Sequence, residues 1–168
     1  MASARRRIVV FDLGGVLLQW DPRFLYRKLF DGDEVAMERF LATVCTQEWN
    51  EHQDAGRSFA NAVAELVPMH AHQRELIEAF GKRFGEMVPG AIEATVEVVA
   101  ELRSRDVPLY ALSNWSAETF HHAPEAFPEV FALFDAARQS DETVGDSELG
   151  PLLWRHSGMR HRRRMRDE

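Results

Sequence analysis

A single cysteine, Cys45, stands in the 168-residue chain, so neither a disulfide framework nor a cysteine-built zinc site is available. Lysine is nearly as scarce: Lys28 and Lys82 are the only two, against 18 arginines. No apolar run approaches the ~18–20 residues of a membrane-spanning helix. The opening MASARRRIVV runs from basic residues straight into an apolar segment, without a separate signal core. Low-complexity tracts are also missing, and Gly and Pro are ordinary at 10 and 7, so most of the chain is expected to fold. These absences predict one soluble, cytoplasmic domain with a real core, 45% of the residues being hydrophobic.

Charge is unevenly spread. The net charge of −7 divides into −11 through Gly150 and +4 from Pro151 onward. An acidic body argues against nucleic acid as a partner, and the Arg run at 160–166 reads as a solvated tail.

Residues 7–13 read as a buried strand, continuous in β-branched and aromatic residues and ended by Gly14-Gly15. Helical signals follow. DPRFLYRKLF spaces Phe24, Leu25, Lys28 and Leu29 helically, Asp33 caps a helix running to about Val44, and Ser58 caps another carrying Phe59, Val63 and Leu66. Leu76, Ile77, Phe80 and Phe84 continue the pattern over 72–84, making 22–86 a helical insert. Pro89-Gly90 then opens an amphipathic helix with Ile92, Val96, Val99 and Leu102, followed by a second apolar strand, Val107 to Leu112. A third strand is predicted in FALFDA, 131–136. Helix followed by apolar strand is the parallel βαβ pattern. The fold class is therefore α/β, a doubly wound parallel sheet with an inserted all-helical unit.

Ligands of such sheets bind beyond the carboxyl ends of the strands. Two of those ends are polar here: Asp12 with Gly14-Gly15, and Ser113-Asn114. Glycines free backbone N–H groups to approach an anion, which makes Gly15 a phosphate-binding candidate. Ser113 and Asn114 supply a hydroxyl and an amide that donate to phosphoryl oxygens. A carboxylate facing that anion needs a cation between them, or else attacks phosphorus itself. Hard oxygen ligands beside a phosphate point to Mg²⁺.

Plainer readings compete. Asp12 can cap a turn, and Ser113-Asn114 can open a helix. Trp20, Trp49 and Trp115 suit packing at a seam between insert and sheet, Cys45 suits a small core position on a helix, and His70 and His72 suit a solvated face. A metal at His121-His122 is disfavoured, because adjacent side chains diverge and no third ligand is evident.

The motif VVFDLGGVLLQWDP resembles the first motif of the haloacid dehalogenase (HAD) superfamily of hydrolases, with Asp12 at the nucleophile position. YALSNWS resembles the second, with Ser113 (Asn114 beside it) at the phosphate position, and the insert 22–86 is similar to the helical cap of subfamily type I. The likeness covers about residues 6–136. It implies a core of 1–21 and 87–145, a Mg²⁺-dependent phosphomonoesterase acting through an aspartyl phosphate, and metal held by Asp12 and the Gly14 carbonyl. The implied partner is a small phosphorylated metabolite such as a sugar phosphate.

The chain departs from this family twice. Gly14 replaces a second Asp that serves as general acid, which favours substrates with good leaving groups. After FDAARQSDETVG no motif resembles the family's Lys or its metal-binding acidic pair, and 146–168 reads as a basic irregular tail. A frameshift or truncation near Gly145 is the preferred account, with turnover at least ~10³-fold below that of a chain carrying those motifs. The alternatives are a 2-haloacid dehalogenase, using the same nucleophile on carbon without metal, and a non-catalytic remnant.

Overall fold

The structure, a computed structural model, describes residues 7–139; the expectations for 140–168 fall outside them. Three short strands form one parallel sheet in the order β1-β2-β3: β1 (Val9–Phe11), β2 (Leu109–Ser113) and β3 (Ala136–Gln139). Val9 pairs with Leu109 and Phe11 with Ala111, while Tyr110 pairs with Ala136 and Ser113 with Gln139. Each crossover contains helices, as parallel pairing requires. The observed class is α/β with a parallel sheet. The order runs one way only, so the reversal of a doubly wound sheet has no strand among the described residues.

Sequence and structure differ in detail. Strand β1 is shorter than 7–13 and is not buried on both faces: Val9 and Phe11 pack against the sheet's apolar cluster, whereas Val10, on the opposite face, is 42% exposed. The third strand begins where it was expected to end. Phe127, Val130 and Phe131 lie at helical spacing behind a Pro at the first helical position, so this stretch forms α9 (Pro128–Phe131) instead. Phe134 then packs edge-on against Phe11, centroids 5.9 Å apart.

Between β1 and the helix before β2 the chain is helical, with α1 (Arg23–Leu29), α2 (Glu34–Thr43), α3 (Gln47–Asp54), α4 (Phe59–Leu66) and α5 (Arg74–Lys82). Asp33 and Ser58 cap α2 and α4 as read, accepting from the N–H of Ala36 and Asn61. Helix α3 has too little apolar content for periodicity to show it; Thr46 caps it by accepting from Trp49 N–H.

These helices bury their own apolar cluster around Tyr26, Phe40, Trp49, Phe59, Ile77 and Phe80, separate from the sheet's cluster around Leu13, Leu17, Val99, Leu109 and Trp115. Of the three tryptophans expected at the seam, only Trp20 packs against both. Cys45 is buried as expected, but in the α2–α3 connection rather than on a helix, and burial pushes its thiol up to about 12.

The two chain segments joining insert and sheet pair with each other. Gln19 N–H donates to Gly90 O and Ile92 N–H to Leu17 O, both at 2.8 Å, and Asp21 N–H donates to Met87 O at 3.1 Å. Committing Pro89–Ile92 to this pairing delays the next helix, so α6 (Glu93–Ser104) starts three residues later than Gly90 suggested. Helices α7 (Ala117–Phe120) and α8 (His122–Ala126) follow β2 and lead to α9. Among the described residues no helix is long and apolar enough to cross a membrane.

Candidate functional site

The register of β1 and β2 brings the two polar strand ends together. Phe11 lies opposite Ala111, so Asp12 falls opposite Leu112, with Ser113 one residue beyond. At ordinary strand spacing and rise, the Asp12 and Ser113 backbones are about 5–6 Å apart, a gap that one phosphate spans. Asp12 and Asn114 are exposed, whereas Ser113 is buried. One Asp12 oxygen accepts from Leu13 N–H at 2.7 Å, which orients the carboxylate. Ser113 Oγ accepts from Trp115 N–H at 3.2 Å, leaving the hydroxyl proton to donate elsewhere.

The two glycines serve different ends. Gly15 has φ +72°, a left-handed conformation that favours glycine, with open space where a side chain would sit. Its N–H donates to Leu18 O at 2.9 Å, so this amide holds the turn closed and does not point at an anion, contrary to the reading of Gly15 as a phosphate donor. Gly14 is glycine for room: a Cβ there would lie 2.8 Å from Trp115 Nε1 and 3.3 Å from two further indole atoms. No donor among the described residues bonds to the Gly14 carbonyl.

That carbonyl and the Asp12 carboxylate are hard oxygen donors, and Mg²⁺ characteristically binds through one or two carboxylates, substrate phosphate and water. By donor type the pair matches what Mg²⁺ takes, with substrate and solvent left to supply the remaining ligands. Asp12 belongs to no group of three His, Cys, Asp or Glu ligands among the described residues.

No family model and no curated protein matches this chain. What can be said of the site therefore rests on its own geometry, which includes residues that sequence reading missed. Asp54, in α3, accepts from Asn50 Nδ2 at 3.1 Å and from the backbone N–H of Ser116, and burial pushes its carboxyl up to about 6. Both carboxylate oxygens of Glu118, in α7, face the N–H of Phe59 at the start of α4, at 3.3 and 3.4 Å. Gln139 Nε2 donates to Trp115 O at 2.6 Å. The segment after Ser113-Asn114 is thus clasped by two insert helices on one side and by β3 on the other. Nothing local marks the links of Asp54 and Gln139 to this segment, because Ser116 and Trp115 lie 62 and 24 residues away from them.

A cavity of about 290 Å³ opens on the insert side of the junction, its wall mixing polar Asp21, Arg23, Gln47 and Asn50 with apolar Trp20, Leu41 and Phe80. The buried Trp20 Nε1 has no partner among the described residues.

The two adjacent histidines contradict expectation. His121 ends α7 and His122 begins α8, and this junction brings their rings to 4.1 Å between centroids, tilted by 36°. Glu125 joins them one helical turn on, with one donor atom of each residue within 4.8 Å of the others. The rings converge, and a carboxylate at helical spacing, Glu125, lies where none was expected to complete the group.

Proposed function

We propose that the chain is a HAD-type hydrolase, a phosphomonoesterase of small phosphorylated metabolites. The observation that carries this is the parallel register placing Asp12 beside Ser113-Asn114 at the carboxyl edge of the sheet, where α/β sheets bind their ligands. In this reading 22–86 is a cap, and its paired connections to the sheet and its hold on Ser116 through Asp54 support that role.

Asp12, oriented by its bond from Leu13 N–H, attacks phosphorus as the ester P–O bond breaks and the alcohol departs with a proton from solvent; water then cleaves the aspartyl phosphate, releasing inorganic phosphate and restoring the carboxylate. The Ser113 hydroxyl and Asn114 amide hold phosphoryl oxygens in both steps. Mg²⁺ held by Asp12 and the Gly14 carbonyl would screen the repulsion between carboxylate and phosphate. No acid stands at Gly14 to protonate the leaving group, so stable leaving groups such as a sugar's anomeric oxygen are favoured. The cavity at the junction, where Arg23, Gln47 and Asn50 stand beside apolar Leu41 and Phe80, is the candidate place for the leaving group in this reading.

The test is covalent. Incubation with acetyl phosphate and Mg²⁺ should add one phosphoryl group to the intact chain, lost in Asp12→Asn and on omission of Mg²⁺. An unlabelled wild-type chain, or equal labelling of Asp12→Asn, overturns the assignment. A 2-haloacid dehalogenase would instead release halide without metal.

A further inference from the structure

We propose that His121, His122 and Glu125 form a transition-metal site, fitted to Zn²⁺, separate from the Asp12 crevice and independent of the phosphatase reading. Two imidazoles and one carboxylate are the protein ligands of an open, catalytic-type zinc site, with water completing the tetrahedron. Their donor atoms lie within 4.8 Å of one another. Ligand atoms on a tetrahedral zinc are about 3.4 Å apart, so the set has to close by little more than 1 Å.

The backbone supplies the convergence. His121 lies in the right-handed helical region, at φ −59° and ψ −26°, so Glu125 falls four residues after one imidazole and three after the other, on one helix face. The His122 ring is held against Phe84, 6.3 Å between centroids and 16° from parallel, which fixes one ligand in advance. Phe84 in turn packs edge-on against Trp115, the residue that covers Gly14. The site therefore lies two aromatic rings from the Asp12 loop and shares no ligand with it.

Among the described residues, competing soft ligands are few. Cys45 is buried, with a thiol that burial keeps protonated at neutral pH. The other histidines of the described residues are His52, His70 and His72.

The full chain, stripped with a chelator, is titrated with Co²⁺ and followed by the visible bands of a tetrahedral site, and with Zn²⁺ by calorimetry. One equivalent should bind, and Glu125→Gln, an exposed change that leaves the fold intact, should weaken it at least ~10-fold, the lower end of what even outer-sphere changes cost. The double variant His121→Ala/His122→Ala should abolish the bands, while His70→Ala/His72→Ala and Asp12→Asn should leave them unchanged. Zn²⁺ binding no tighter than ~100 µM, or bands that persist in the 121/122 variant, overturns the proposal.

Discussion

Gly14→Ala isolates the reason for a glycine where the family likeness leads one to expect an acid. The added Cβ would meet Trp115 Nε1 at 2.8 Å, against an optimum of about 3.5–4.0 Å for non-bonded heavy atoms. The indole has little room to yield. Trp115 is 5% exposed, its ring abuts Phe84 at 5.2 Å, and its backbone is tied at N–H by Ser113 Oγ and at C=O by Gln139. The methyl should therefore cost ~1–3 kcal/mol, the range for overpacking a rigid site. Loss of backbone freedom in the unfolded chain offsets ~0.4–1 kcal/mol of that. A double-mutant cycle separates the two, because the unfolded-state gain is the same with any residue at 115. In a Trp115→Phe background, whose smaller ring vacates the Nε1 position, Gly14→Ala should cost less than ~0.5 kcal/mol, a coupling of at least ~1 kcal/mol. The assay is urea unfolding at constant m-value. Equal costs in both backgrounds, within ~0.3 kcal/mol, would refute the steric account. Gly14→Asp should behave like Gly14→Ala or worse, so restoring an acid at this position also requires a smaller residue at 115.

Asp54→Asn should change how stability depends on pH. Burial raises this carboxyl from 3.8 to about 6, so the folded state holds a proton that the unfolded state releases between those values. The wild type is then favoured below about pH 4 and loses that advantage as pH rises through 6. The shift corresponds to ~3 kcal/mol, reduced to ~1 kcal/mol by solvent at this half-buried seam. Asparagine retains an acceptor for Ser116 N–H, so the variant should match or exceed wild-type stability at pH 8 and flatten the profile between pH 4 and 7; a parallel profile would remove the burial argument. Phe80→Ala should cost ~3–5 kcal/mol in chemical denaturation, since Phe80 is 1% exposed and touches Tyr26, Trp49 and Phe59. A loss under ~1 kcal/mol would mean that the insert's core repacks around the gap.

Much of this protein was legible in its sequence, for reasons of short range. The Asp33 and Ser58 caps, the apolar stripe through Ile77 and Phe80 and the apolar run of β2 are signals read within a few residues, where backbone sterics and local hydrogen bonds act. Polar residues closing two apolar strands were enough to nominate Asp12, Ser113 and Asn114, because parallel sheets present strand ends on one edge. Tertiary structure decided what depends on partners distant in the chain. The Gly15 amide went to Leu18, not to an anion, because the turn closes on itself. Trp115, 101 residues from Gly14, took the space of a side chain there. Asp54 and Glu118 became links between insert and sheet, and the α7–α8 junction turned two histidines that sequence spacing sets apart toward one another and toward Glu125. Sequence determines which groups a segment offers; packing decides which of them meet, because contact energies fall off within a few ångströms whatever the separation along the chain.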